Sequence, residues 1–337
     1  MKSKQTITFF ARILPPNPGG VERHLENISP HLEKLGYAVQ LVGHDVSNET
    51  SSKNRLVMPS SIEGNKFLTW RWILNNRHKF GDILHSHDVH WWLIPLFLLP
   101  NRPKMFGTYH GYHSLTRPEI KEKVTRALIH RQLSGSMSVG RWIDEWYGTR
   151  SSMYMYGGAD YKRISLPNQH SACFIGRLEQ DTAILEYLDL AENVGPSLPL
   201  SVYGDGSLLY VVQRYQSRSP WIQYKGVTQK PQLVLQRHSI LFASQYLSMI
   251  EGLQMGRLVV SIPNSELKQQ YLNSFPGIKH TVCRSSISES KDELKREIDG
   301  SMQAFQKRRT TGVDWALKQQ WNSIADQYHT LWTKVKK

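Results

Sequence analysis

The chain has 337 residues, which suits two domains of about 150 residues each better than one ordinary core. Hydrophobic residues make up 39% and charged residues 21%, a globular composition without a low-complexity tract, which excludes long disordered segments. The net charge of +14, from 42 Lys and Arg against 28 Asp and Glu, is spread over both halves; alone it fits a solvated basic surface, an anionic membrane, an anionic substrate or nucleic acid.

The opening residues, Met1–Gln5, are polar, and the apolar run Thr6–Phe10 is too short for a signal core, so no leader is expected. Ile7–Phe10 reads as a short strand, followed by the loop Leu14-Pro15-Pro16-Asn17-Pro18-Gly19-Gly20. Val21, Leu25, Ile28, Leu32 and Leu35 then recur at helical spacing and form one apolar stripe, which Gly36 ends. Tyr37–Val42, Asp82–His85, Met105–Tyr109, Gly135–Val139 and Ser152–Tyr156 read as further strands. The longest apolar run, Trp91–Pro100, carries two prolines and falls far short of the roughly 20 residues a membrane span needs; it reads as buried or interfacial.

After Gly157-Gly158 a polar stretch, Ala159–His170, reads as an interdomain linker. The pattern then restarts with strands at Ala172–Ile175, Leu200–Tyr203, Trp221–Tyr224, Ser239–Ala243 and Leu258–Ile262, and closes on the helical stretch Trp315–Lys337. Strands alternating with helices imply parallel sheets built from βαβ units, and two such runs imply two doubly wound domains. Cys173 and Cys283 both fall inside strand-like runs and read as buried thiols of a reducing compartment.

Five segments could carry chemistry. Gly19-Gly20 ends the first strand at a helix start, where free N–H groups favour anions, although a tight turn without function looks the same. His110, in Thr108-Tyr109-His110-Gly111, stands at the carboxyl edge of a strand, where α/β folds bind ligands. His85, His87, His90 and His113 are near it; without an HExxH pattern or a cysteine pair, structural histidines are expected and no metal. Arg177 follows a strand in Phe174-Ile175-Gly176-Arg177-Leu178, and its fork of donors suits a diphosphate. Gly204 and Val227 belong to two glycine turns that also occur in any parallel sheet. Finally, Tyr246, Leu247 and Ser248 open a helix whose first N–H groups could hold a phosphate; Glu251, a turn further on, could accept both hydroxyls of a ribose or simply cap the helix.

Together and in this order, these segments resemble the nucleotide-sugar glycosyltransferases of family 4, over nearly the whole chain. The family's Gly-Gly-x-Glu loop matches Gly19, Gly20 and Glu22, and its Asp-x-x-His-x-His segment matches Asp82 to His87. Its Thr-x-His-Gly is Thr108 to Gly111, and the Asn-Gly-Val-Asp closing the first domain resembles Gly157 to Asp160. Gly-Arg-Leu is Gly176 to Leu178, the Glu-Ala-Met-Ala-x-Gly helix matches Glu251 to Gly256, and the closing Trp-x-x-Ile-Ala is Trp321 to Ala325. Two departures mark a divergent branch. The family's lysine five residues after the arginine is Thr182 here, followed by Ala183 in place of glycine. Of its paired glutamates, Glu251 fits the second, while Ala243 stands at the first.

The resemblance implies a GT-B fold: two Rossmann-like domains with an interdomain cleft. It places an acceptor domain at 1–160, a nucleotide-sugar donor domain at 161–314, and a helix at 315–337 packing back on the first. It implies a metal-independent hexosyltransferase that retains the anomeric configuration and uses no cofactor beyond the donor. Arg177 and the N–H groups of Leu247 and Ser248 would hold the diphosphate, Glu251 the ribose, and His110 would lie beside the transferred sugar. Gly19 and Gly20 would line the cleft, with Gly204, Val227 and Tyr246 around the nucleotide. A glycan or lipid-linked acceptor, polysaccharide or glycolipid biosynthesis, and a cytoplasmic location with peripheral contact at the inner membrane face are the matching expectations. No nucleic-acid motif is present, so nucleic acid is not an expected partner. Two competing readings stay open: a sugar-nucleotide epimerase on the same fold, and a binding protein that has lost catalysis.

Overall fold

A computed structural model describes residues 4–16, 19–45, 54–111, 117–167, 169–283, 287–299 and 302–334. His113, Asn17 and Pro18 and the last residues of the expected closing helix lie outside these. The chain divides into two compact units, Met1–Met155 with Trp321–Lys337, and Tyr156–Gln320.

The first unit runs β1 (Thr6–Ile13), α1 (Gly20–Lys34), β2 (Ala38–His44), β3 (Arg55–Val57), α2 (Lys66–Asn76), β4 (Ile83–His87), α3 (Ile94–Phe97), β5 (Lys104–Tyr109), α4 (Ile120–Gln132), β6 (Gly135–Val139), α5 (Trp142–Tyr147) and β7 (Met153–Met155). Its seven strands are all parallel, in the order β3-β2-β1-β4-β5-β6-β7. The central strands are buried on both faces; β1 is a largely apolar run, while β4 carries His85, Ser86 and His87 into the interior. On α1 the stripe Leu25, Ile28 and Leu32 faces the core, joined by His24, while Leu35 has left the helix and is exposed. The apolar run from Trp91 forms a 3-10 turn and α3, with Trp92, Leu93 and Leu96 buried.

The second unit runs β8 (Ala172–Ile175), α6 (Ile184–Val194), β9 (Leu200–Tyr203), α7 (Leu209–Arg218), β10 (Ile222–Tyr224), α8 (Pro231–Arg237), β11 (Ile240–Phe242), α9 (Tyr246–Gln254), β12 (Leu258–Ser261), α10 (Glu266–Asn273), β13 (Val282–Cys283), α11 (Ile287–Asp299) and α12 (Met302–Ala316). Its six strands are again parallel, in the order β10-β9-β8-β11-β12-β13. Two parallel sheets with flanking helices define the expected GT-B class. Cys173 is buried in β8 as expected, whereas Cys283, in β13 at the sheet edge, is only half-buried.

The stretch read as a linker is firmly tied to the second unit. Gln254 donates to the carbonyls of Ala159, Ala316 and Gln319 and accepts from the Tyr161 N–H. The buried guanidinium of Arg257 donates to the carbonyls of Ile164 and Ser165. After α12 the chain returns to the first unit as α13 (Trp321–Lys334), which buries Ile324, Tyr328, Leu331 and Trp332 there. Among the described residues, no helix is long and apolar enough to cross a membrane.

Candidate active site

Each sheet reverses its strand order once, between β1 and β4 in the first unit and between β8 and β11 in the second. In open α/β sheets the crevice at the carboxyl ends of such strands is where ligands bind, because the two following loops run off in opposite directions. The expected site residues fall around these two points except Val227, which follows the edge strand β10.

In the second unit, β8 and β11 pair in register, Phe174 opposite Phe242, so Arg177 and the start of α9 emerge at the same sheet edge. The loop after β8 is laced to the loop after β9: Gly176 N–H donates to Tyr203 O (3.1 Å), Leu178 N–H to Asp205 O (2.8 Å) and Leu208 N–H to Leu178 O (2.9 Å). Gly204 makes this possible. It has a φ of 143°, and a Cβ there would stand 1.8 Å from the Gly176 carbonyl oxygen. Held so, the Arg177 side chain is 60% exposed, with Nη2 2.7 Å from Asp181 Oδ2.

Thr182 explains part of what replaces the family's lysine. Its buried hydroxyl donates to the carbonyls of Arg177 (2.9 Å) and Glu179 (2.7 Å), closing the turn that carries the arginine. Ala183 adopts a φ of 60°, the left-handed conformation that glycine takes without steric cost.

Tyr246 begins α9, but its ring stacks on Tyr271 (3.8 Å between centroids) and Phe275 (4.9 Å), and its N–H donates to Tyr271 Oη. Its role is to pin the helix start from inside the unit. Leu247 and Ser248, half-buried, are left with N–H groups that have no intrahelical acceptor. Glu251, buried, falls four and three residues on from them and so shares their helix face. Val227 lies on the exterior, 64% exposed.

Lys268 carries no motif and was not among the expected residues. It lies on α10, is almost wholly buried, and donates from Nζ to Ser244 O, 3.2 Å away, with the ammonium over the Tyr271 ring. Burial pulls its pKa down to about 8, Asp181 opposes that fall, and Arg177 adds to it. The ammonium therefore lies within electrostatic range of the Arg177–Asp181 pair, and its acceptor Ser244 stands two residues before the start of α9. Only the parallel register reveals this; an isolated lysine in a polar helix gives no sequence signal.

In the first unit, a Cβ on Gly19 would stand 2.0 Å from Glu22 Oε2, so the Glu22 carboxylate folds back over the glycine; burial raises its pKa. Gly20 opens α1 with nothing within 4 Å of where a Cβ would be. Beside them a histidine cluster occupies the ends of β4 and β5. Trp332 Nε1–H of α13 donates to His85 Nδ1 (3.1 Å), which puts the His85 proton on Nε2, 2.7 Å from Thr108 Oγ1. Thr108 is 3.1 Å from the Tyr328 hydroxyl, which in turn is 2.9 Å from His24 Nε2. His87 Nδ1 and His110 Nε2 share one hydrogen bond of 2.7 Å, and His110 N–H donates to Asp88 Oδ1.

Burial pushes the pKa of His24, His85, His87, His90 and His110 down, and mutual repulsion lowers most of them further, so the rings are neutral. His24, His87 and His110 offer nitrogens within 4.8 Å of one another, a neutral imidazole set of the kind that holds a transition metal. Ring hydrogen bonds join His24 to Tyr328 and His87 to His110, whereas Asp88 holds the backbone N–H of His110 and not its ring. His87 Nε2 alone of the three is a buried atom lacking a partner among the described residues.

The fold defined by these two sheets is that of the GT-B glycosyltransferases. A sucrose-phosphate synthase from Thermosynechococcus elongatus superposes with a TM-score of 0.76 at 12% identity, over 97% of this chain and 98% of that one. TarM superposes with a TM-score of 0.74 at 11% identity, over 99% of each chain. HepE of Anabaena, in complex with UDP-glucose, gives 0.70 at 14% identity over 98% and 100%. Residues 18–152 match the profile of Glycosyltransferase Family 4, so the chain joins a family 4-like first unit to a GT-B fold. No curated protein sequence matches the chain. These findings support a glycosyltransferase.

Proposed function

We propose that the protein transfers a hexosyl unit from a nucleotide-diphosphate sugar to a glycan or lipid-linked acceptor, with retention of configuration and without a metal. The observation that carries this reading is the β8–β11 register, which brings Arg177, the open N–H groups of α9 and Glu251 to one sheet edge of the second unit. In such a transfer negative charge grows on the leaving diphosphate, and donors already fixed in place stabilise it without reorganising. Arg177 and the Leu247 and Ser248 N–H groups take that role, Lys268 adds a second cation near Arg177, and Glu251 accepts the ribose hydroxyls. Gly19, Gly20 and His110 are the first unit's contributions, with His110 assigned to the transferred sugar. Because HepE was solved with UDP-glucose and TarM of S. aureus with UDP, uridine diphosphate sugars are the first donors to try. A cytoplasmic site of action belongs to the same proposal.

The test is nucleotide release from a panel of donor sugars, with and without acceptors. Arg177→Ala should lower turnover by about 100-fold or more, the scale of losing one preorganised donor, and Glu251→Ala, which removes the acceptor for the ribose hydroxyls, should lower it as well. Full activity in either variant removes that residue from the site. EDTA should leave turnover unchanged; loss restored by zinc would make the histidine cluster a working metal site. Isomerised donor without acceptor would identify an epimerase, and a thermal shift without turnover a binding protein.

A further inference from the structure

Helix α4 faces the wrong way for an ordinary surface helix. Two of its polar side chains turn inward: the Arg126 guanidinium lies 3.4 Å from the centroid of the Tyr147 ring and 4.5 Å from that of Tyr109, while His130 contacts Arg150 O (3.1 Å) and the Tyr109 hydroxyl (3.3 Å). Three of its four large apolar side chains turn outward, Ile129 being the exception. Ile120, Val124 and Leu128 are 81%, 52% and 58% exposed, and none of the helix's thirteen residues is buried. At about 100° per residue these three span roughly 80° of the helix, a single stripe about 12 Å long.

The charges around the stripe are of one sign. On the same wheel Arg131 falls inside the span of the stripe, and Lys123 and Lys121 flank it on either side. Glu119 and Glu122 fall outside it, joined at the helix start by the Glu119 N–H bond to Glu122 Oε2 (3.0 Å). Arg102, bonded to Gln132 at the other end, adds a further positive group.

We propose that α4 is a docking helix for an anionic lipid bilayer. It lies along the membrane surface, with Ile120, Val124 and Leu128 among the upper acyl chains and Lys121, Lys123 and Arg131 against lipid phosphates. A helix with apolar and basic residues on one face binds an interface by both terms together, neither being sufficient alone. A second copy of the chain is a poorer occupant. Three side chains fall well below the roughly 800 Å² per partner of a standard interface, and two such basic stripes repel. Docking goes beyond the transferase reading and does not depend on it.

The experiment is co-sedimentation of the full chain with phosphatidylglycerol-containing vesicles and with phosphatidylcholine vesicles, at low and high salt and without any donor. Binding is expected to the anionic vesicles at low salt and to weaken at high salt. The triple variant Ile120→Ser, Val124→Ser, Leu128→Ser should reduce the bound fraction by at least about tenfold while keeping its melting temperature, since these side chains bury little in the free protein. The variant Lys121→Gln, Lys123→Gln, Arg131→Gln should flatten the salt dependence. Unchanged binding by the triple serine variant overturns the proposal, as does equal binding to neutral vesicles or none to anionic ones. A dimer in light scattering that the serine variant dissolves would overturn it in favour of self-association.

Discussion

Lys268 is where a single side chain separates stability from function most clearly. A buried ammonium with one carbonyl and one aromatic face around it has given up most of its hydration. Lys268→Met keeps the stem and removes that cost, so the variant should be as stable as the parent or more so at pH 7, while donor affinity falls about tenfold through loss of a charge-assisted contact. The folded pKa of about 8 lies below the unfolded value of 10.5, so between these the unfolded state holds more protons and the parent gains stability as pH rises. The variant's advantage should therefore shrink between pH 8 and 10.5, by on the order of 3 kcal/mol at most. Melting curves of both proteins across that range, with titration of UDP sugar at pH 7, check it; equal donor affinity would take Lys268 out of the site. Arg177 and Glu251 stood out in short motifs, and the structure puts Arg177 just after β8 and Glu251 on α9; Lys268 gave no such signal, because its nearness to Arg177 comes from the fold and not from its neighbours in sequence.

At the scale of elements, strands such as β11 and β12 were readable because parallel strands buried on both faces are largely apolar. β3 escaped notice, and β13 was read only as a strand-like run around Cys283: they are three and two residues long and sit at sheet edges. The polar stretch after Gly158 looked like a free linker because its partners, Gln254 and Arg257, are almost a hundred residues away in sequence. The loops after β8 and β9 act as one piece, and Gly204 is the point where they touch. Gly204→Ala would add a Cβ against the Gly176 oxygen at a φ that L side chains rarely adopt. It should destabilise the second unit by about 3 kcal/mol and displace Arg177, lowering donor affinity as well. Gly20→Ala, with open space around it, should leave stability within about 0.5 kcal/mol of the parent. Urea denaturation of the two variants makes the comparison; similar midpoints would show that the laced loops yield easily.

For the whole molecule, the two units should respond differently to acid. Five histidines of the first unit have folded pKa values below the ordinary value of about 6.5, against two, His238 and His280, among the described residues of the second. Below that pH the unfolded chain takes up protons that the folded unit refuses, so stability falls with falling pH, by up to about 1.4 kcal/mol per pH unit for each ring. The melting temperature of the first unit should drop steeply between pH 7 and 5; a flat profile over that range would mean the rings are solvated or paired with acids.

The return of α13 has a consequence for how the protein is made. Trp332 and Tyr328 complete the packing around β1 and β4, yet they are synthesised after every residue of the second unit. A ribosome that has delivered residues 1–320 has finished one unit as an unbroken stretch and left the earlier one with its histidine layer uncovered. The half begun first is thus the last to close, and in the interval its unshielded rings and Phe9 are the surface most in need of a chaperone.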